Sequence, residues 1–246
     1  MFICACSDIG KVREINQDAY FYIEDEILPI FIVADGMGGH KAGEVASNTA
    51  ISTIISYYEE SKEKIISKEM FIPEFINYSV ALANEKLIYE SVNDDELKGM
   101  GTTITMCIVL ENELYIGHVG DSRAYLVRGE KLIQLTQDHS LVGELLRTGS
   151  ITKEEAATHS KKNVILRALG SEEKLKVDVL TVDLQKNDKF MLCTDGLTNM
   201  VSEERMLEVI TTEEEPSSIC SKLVNISNEI GGIDNTTIML IKAKEE

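Results

Sequence analysis

The sequence predicts an α+β fold in which two antiparallel β-sheets pack as a sandwich, with pairs of α-helices on both outer faces, a four-layer αββα arrangement. Two observations lead there. Helical patterns come in consecutive pairs between groups of strands, which is not the alternating order of a doubly wound parallel sheet. Between residues 102 and 135, strand-like runs are joined only by Glu111–Asn112 and Arg128–Gly129–Glu130, and connections that short can join only antiparallel neighbours. Stacking the sheets and laying the helix pairs outside them uses every apolar face of the chain.

Each element has its own signal. Apolar or alternating runs predict strands at Phe2–Cys6, Ala19–Ile23 and Ile30–Ala34, with an Arg13–Asp18 loop between the first two. Val45, Ala46, Thr49, Ala50, Thr53, Ile54 and Tyr57 recur at helical spacing, as do Ile72, Phe75, Ile76, Ser79, Val80, Ala83 and Leu87. The stretch Asn93–Gly99 breaks the second helix. Strands follow at Thr102–Leu110, Glu113–Val119, Ala124–Val127 and Lys131–Leu135. Helical pieces are expected around Leu141–Arg147 and Lys153–Thr158, the second opening on Thr152 and Glu155 in capping-box spacing. Strands at Lys176–Asp183 and Lys189–Cys193, helices at Glu203–Ile210 and Ser217–Glu229, and a strand at Thr236–Ile241 complete the pattern.

Composition narrows the function. No linker or low-complexity tract divides the 246 residues, so one domain over 1–246 is expected, and 43% hydrophobic content suffices for its core. With 42 acidic against 24 basic residues the formal net charge is −18, which disfavours nucleic acid and anionic membrane surfaces as partners. The five cysteines include no CxxC pair and read as reduced thiols, several of them buried as small hydrophobes. The start Met1–Phe2–Ile3–Cys4 lacks a basic signal-peptide region, and no apolar stretch reaches the ~18 residues of a membrane span. A cytoplasmic protein is expected.

The chemistry lies in the aspartates. Phe31–Ile32–Val33–Ala34 ends in Asp35–Gly36–Met37–Gly38–Gly39–His40, and the same apolar run before Asp-Gly returns at Phe190–Met191–Leu192–Cys193–Thr194–Asp195–Gly196. Asp121 closes Ile116–Gly117–His118–Val119–Gly120, and Asp234 stands just before the run Thr236–Ile241. Alone, each is an ordinary turn or N-cap residue. Together, at the ends of buried-looking strands far apart in sequence, they describe one site of oxygen ligands. Such ligands suit hard cations such as Mg²⁺ or Mn²⁺, whereas Zn²⁺ prefers Cys and His.

Seven motifs fall in one order: Arg13-x-x-Asn16-Gln17-Asp18, Asp35–His40, Gly101–Thr102–Thr103, Gly120–Asp121–Ser122–Arg123, Leu135–Thr136-x-Asp138–His139–Ser140, Cys193–Thr194–Asp195–Gly196 and Asp234–Asn235. This order resembles the metal-dependent serine/threonine protein phosphatases of type 2C (PPM) in their compact bacterial form, over essentially the whole chain. The resemblance implies hydrolysis of phosphoserine and phosphothreonine in proteins by a metal-bridging hydroxide. Two cations about 3.5–4 Å apart neutralise the phosphoryl oxygens and turn bridging water into hydroxide near neutral pH.

The resemblance assigns Asp35 as the bridge between two tightly bound Mn²⁺ or Mg²⁺ ions, the Gly36 carbonyl as a ligand, and Asp195 and Asp234 as ligands of the second ion. Asp121, with Asp195, would hold a weaker third. Arg13 offers a planar fork for phosphate oxygens, a surface salt bridge being its simpler reading. Asp18 would touch a metal directly or orient its waters, and Gln17 stands where some relatives carry an acid. His40 is expected to protonate the leaving alkoxide. Packing roles are expected of His118 and His139, and sheet roles of Thr102 and Thr103. A variable flap is expected at about 141–168, where Ser160 replaces a frequent proline. By analogy, the partners are phosphoproteins, among them a cognate Ser/Thr kinase and its targets, acted on by a monomer. The competing readings are a phosphatase of one stress-pathway regulator and a catalytically inactive module that binds phosphoproteins.

Overall fold

The computed structural model describes residues 1–39, 41–213 and 215–242. In chain order the elements are β1 (Phe2–Asp8), β2 (Asp18–Ile23), β3 (Ile30–Met37), α1 (Ala42–Ile66), α2 (Ile72–Asn93), β4 (Gly101–Thr102), β5 (Ile104–Leu110), β6 (Glu113–Val119), β7 (Arg123–Arg128) and β8 (Lys131–Gln134). They continue with α3 (Leu141–Arg147), α4 (Lys153–Ala157), β9 (Asp178–Asp183), β10 (Lys189–Cys193), α5 (Asp195–Thr198), α6 (Glu203–Thr212), α7 (Ile219–Ile230) and β11 (Thr236–Lys242). One sheet has the order β1-β11-β10-β7-β8 and the other β2-β3-β5-β6-β9, with β4 added to β3. Every ladder is antiparallel.

Three apolar layers hold these elements together, as the four-layer expectation requires. Phe31, Val33, Cys107, Ile116, Phe190, Leu192, Met239 and Ile241 fill the space between the sheets. Ile30, Ile32, Ala34, Ile104, Met106 and Ile108 turn the other way, onto α1 and α2. Cys4, Met191, Cys193, Ile238 and Leu240 face α6 and α7. β3 is therefore buried on both faces, which explains why its sequence is a continuous apolar run instead of an alternating one. Phe31 and Phe190 meet edge to face across the inter-sheet layer, with ring centroids 5.5 Å apart.

Several boundaries differ from the sequence-based expectation. β3 runs on to Met37 because Gly36 and Met37 pair with Thr102 and Gly101. The expected strand at Thr102–Leu110 breaks at Thr103, whose buried hydroxyl is engaged outside the ladder. β9 begins only at Asp178, the Lys176 carbonyl instead accepting from Arg167 Nη1 at 3.3 Å. Pro216–Ser218 forms a 3₁₀ turn before α7, so the helix starts at Ile219. The Thr152–Glu155 capping box forms as expected, with both bonds present.

Residues 141–164 leave the sandwich and return. Their stem is closed by the Ser140–Ile165 bridge and by Leu166 N–H donating to the His139 carbonyl at 2.7 Å. Among the described residues no helix is long and apolar enough to cross a membrane. All five cysteines are free thiols, four of them buried.

Candidate metal centre

Two carboxylates come from one sheet. Asp18 opens β2 and is the register partner of Asp35 on β3. Because Phe31 and Val33 face the inter-sheet layer, the two-residue period of β3 turns Asp35 toward the space between the sheets. The opposite sheet supplies two more. β10 ends at Cys193, Thr194 is the N-cap of α5, and Asp195 is the first residue of that helix. Asp234 lies two residues before β11, with Asn235 between them. Asp121 follows β6 through Gly120, where a φ of +115° and the 2.4 Å that would separate a Cβ from Thr103 Cγ2 exclude a side chain.

The two Asp-Gly glycines are steric requirements, although neither forms the simple turn that its sequence suggests. A Cβ on Gly36 would lie 2.0 Å from the Gly43 carbonyl oxygen, and one on Gly196 would lie 1.9 Å from that of Asn235. Gly36 N–H also donates to the Gln17 carbonyl at 3.1 Å, which holds β3 beside the loop that precedes β2.

The cluster is strongly acidic and mostly shielded from water. Burial comes first and like charge second in raising the pKa of these carboxyls. Asp18 is pushed up to about 7 by desolvation and by Asp195 and Asp234. Asp195 is raised to about 6 by desolvation and by Asp234. Asp121 reaches about 8 through desolvation, Asp195 and Asp138. Asp35 lies well above the ordinary carboxylate range, since burial is joined by repulsion from Asp18, Asp195, Asp121 and Asp234.

Asp18 Oδ1, Asp121 Oδ1 and Asp195 Oδ1 are buried without a hydrogen-bond partner. Buried polar atoms are almost always satisfied, so three orphaned carboxylate oxygens facing one region fit oxygen-coordinated divalent cations. Among the described residues, no three His, Cys, Asp or Glu side chains are gathered into a ready-made cage. That is compatible with Mg²⁺-type sites, which keep several waters and use one or two carboxylates each.

Arg13 stands at the rim with half of its side chain exposed, and its Nη2 donates to Asp234 Oδ2 at 2.9 Å. The simpler reading of Arg13 as a salt-bridge residue is thus correct as far as the contact goes, but its partner is a carboxylate of the site. Arg123 does not pair with Asp121. It makes a bidentate contact with Asp138, Nε to Oδ1 at 2.8 Å and Nη2 to Oδ2 at 2.7 Å, and Asp121 Oδ1 is left unpartnered. His40 lies outside the described residues.

Two other histidines are structural. His118 is buried between Thr105 Oγ1 and the Gln137 carbonyl, each 3.0 Å from a ring nitrogen, and desolvation lowers it to about 4. His139 accepts from Gly120 N–H at 3.0 Å and contacts Asp178 at 3.1 Å, so it braces the loop that carries Asp121.

Several supporting residues escape a reading that looks only for ligands. Thr103 Oγ1 accepts from Asp35 N–H at 2.9 Å and meets Ser122 Oγ at 2.8 Å, which links the Asp35 strand to the Asp121 loop. Thr102 Oγ1 donates to the Asp35 carbonyl at 2.9 Å. Asn235 accepts from Gln17 N–H at 2.8 Å and donates to the Ile9 and Ile15 carbonyls, so it stitches the Arg13 loop to the start of β11. Gly43 is needed for the close approach of Gly36. Gly43 lies just before the helical pattern that starts at Val45, so its periodicity does not mark it.

A cavity of about 420 Å³ opens from Asp121 and Asp195 toward α3, α4 and α6, with Val142, Leu146, Lys153 and Glu203 among its walls.

Comparison with known proteins matches residues 11–221 to the family model described as protein phosphatase 2C. The serine/threonine phosphatase Stp of Listeria monocytogenes is 41% identical over 96% of this chain and 93% of its own length. The solved serine/threonine phosphatase of S. agalactiae is 36% identical, covers 99% of both chains and superposes with a TM-score of 0.91. The catalytic domain of the serine/threonine protein phosphatase PstP, solved in complex with two manganese ions, is 31% identical over 97% of this chain and 96% of its own, with a TM-score of 0.83.

Proposed function

Since the chain belongs to the protein phosphatase 2C family and is a serine/threonine protein phosphatase, we propose that its carboxylate cluster is the divalent-metal centre at which phosphoserine and phosphothreonine are hydrolysed. The observation that carries this reading is the set of orphaned oxygens on Asp18, Asp121 and Asp195 beside the half-buried Asp35. Asp35, the Gly36 carbonyl, Asp195 and Asp234 would hold two Mn²⁺ or Mg²⁺ ions, with Asp18 beside them. When bound, such ions neutralise phosphoryl charge and bring the pKa of water toward neutrality.

The chain's own residues supply the rest. The Arg13 guanidinium, at the rim and ion-paired with Asp234, would take phosphate oxygens with its planar fork. His40, from the Gly38–Gly39–His40 segment, is assigned the proton for the leaving alkoxide. The cavity beside Asp121 and Asp195 has room for polypeptide flanking the phosphorylated residue, which supports a protein substrate over a small phosphate ester. Phosphoproteins, among them a Ser/Thr kinase and its targets, met by a monomer in the cytoplasm, complete the proposal.

The test is hydrolysis of a phosphoserine peptide and of p-nitrophenyl phosphate with Mn²⁺ added. Turnover of both supports the enzyme. Peptide binding without turnover would make the chain an inactive phosphoprotein-binding module. Arg13→Ala is expected to raise KM for the peptide roughly tenfold with a smaller loss in kcat, as for a group that holds ground-state phosphate. An unchanged KM in steady-state kinetics would remove Arg13 from the binding site.

Asp121 and Asp195 are proposed to share a third, weaker ion. Asp121→Ala should leave the fold and the tight ions in place yet lower turnover on the order of tenfold or more, with little rescue by millimolar metal. A Mn²⁺ titration of activity identical to wild type would reduce Asp121 to a loop residue.

A further inference from the structure

The carboxylates of the site come from two different sheets, and something must fix one set against the other. Asp18 stands on β2 in one sheet, while Thr194 and Asp195 follow β10 in the other. Thr194 is fully buried, and its Oγ1 lies 2.8 Å from Asp18 Oδ2. The same hydroxyl oxygen accepts from Thr237 N–H at 2.9 Å, and Thr194 N–H donates to the Thr237 carbonyl at 3.0 Å. A hydroxyl has one proton. With its oxygen already accepting from a backbone donor, Thr194 directs that proton to Asp18.

The geometry therefore points to Thr194 as the positioning residue that sets Asp18 against Asp195 across the two sheets, with one Asp18 oxygen held and the other turned into the metal centre. This inference rests on the metal-centre reading above. Its consequence is that Oδ2 of Asp18 is committed to the protein, so Oδ1, which has no protein partner, is the oxygen left for the site. The Thr237 hydroxyl flanks the same carboxylate and is itself paired with Ser7 Oγ at 2.7 Å. The Thr194 contact nevertheless has a special place in the chain, since Thr194 directly precedes Asp195 and sits at the N-cap position of its helix with a hydroxyl that makes no capping bond there. Moving Thr194 moves both carboxylates. Partners one shell out from a metal ordinarily matter to affinity or activity by about 10–100-fold.

The experiment compares Thr194→Ser, which keeps the hydroxyl, with Thr194→Val, which keeps the shape and loses it. Peptide kinetics and Mn²⁺ calorimetry are measured on both, with circular dichroism as the control for folding. Thr194→Val is expected to lose about 10–100-fold in kcat with KM within a factor of two to three, and to bind Mn²⁺ about tenfold or more weakly. Thr194→Ser should stay within about threefold of wild type on every measure. If the valine variant does not fold, Thr194→Ala, which leaves room for water at the Thr237 amide, carries the same expectation. A folded valine or alanine variant with wild-type kcat and Mn²⁺ affinity would overturn the inference, as would a serine variant as impaired as valine, since the methyl group would then be what matters. Inactivity of the wild-type enzyme in Mn²⁺ would instead defeat the metal-centre reading itself.

Discussion

Asp35→Asn is expected to abolish phosphatase activity and, in the presence of a chelator, to make the protein more stable. Activity should fall by at least ~10³-fold, because the charge proposed to bridge two cations is gone. Stability should move the opposite way because the half-buried Asp35 stands beside Asp18, Asp121, Asp195 and Asp234, and its ionisation is opposed by desolvation first and by those charges second. Asparagine keeps the shape and removes the charge. A rise in Tm of roughly a few degrees, the size of an ordinary single-residue change, is expected at pH 8.

The sign with pH follows from linkage. An acid whose pKa is raised on folding imposes no penalty below its unfolded value near 4, and an increasing one as pH rises toward its folded value. The advantage of Asp35→Asn should thus be small at pH 4.5 and largest above pH 8. Chemical denaturation in EDTA at both pH values measures it. Equal or lower stability at pH 8 would mean that the cluster is not electrostatically frustrated.

Removing divalent cations from the wild-type enzyme should eliminate turnover, and Mn²⁺ or Mg²⁺ should restore it. The same ions should raise Tm, because a ligand that binds only the folded state stabilises it by RT ln(1 + [L]/Kd), about 4 kcal/mol at a thousandfold excess over Kd. Part of that affinity is expected to come from the cation offsetting the desolvation and mutual repulsion that hold Asp18, Asp121 and Asp195 above their ordinary range. Differential scanning calorimetry with and without EDTA, run beside peptide hydrolysis, reads both quantities. Full activity in excess EDTA would be incompatible with the proposal.

Much of this architecture was legible in the sequence because burial on both faces leaves a plain mark. β3 and β10 read as continuous apolar runs, and helix pairs between strand groups gave the layer order. What the sequence could not show is where a strand stops when its partner is remote. β3 extends through Asp35–Gly36–Met37 only because Gly101–Thr102, far along the chain, pairs with it. Asp195 reads like Asp35, yet it begins a short helix, since the Thr194 side chain turns to Asp18 and Asn199 N–H bonds back to the Asp195 carbonyl.

In the site, the aspartates were readable because a carboxylate ending an apolar run is conspicuous. Their supports were not. Thr103, Thr194 and Asn235 are ordinary sheet and turn residues by composition, and their roles arise from hydrogen bonds to residues 68, 176 and 218 positions away. Asp121 and Arg123 stand two residues apart in the chain, yet they do not pair. The fold gives Arg123 a better partner in Asp138, whose carboxylate meets the guanidinium fork at two points.

Calorimetric titration of Mn²⁺ into metal-stripped wild-type protein and into Asp35→Asn addresses the carboxylate centre directly, without relying on any substrate. Two tight ions per wild-type chain are expected, and binding to Asp35→Asn should be weakened by ~100-fold or more, with the folded state of both confirmed by circular dichroism. Equal stoichiometry and affinity in the two proteins, or no tight Mn²⁺ binding to the wild type, would contradict a metal centre built on Asp35.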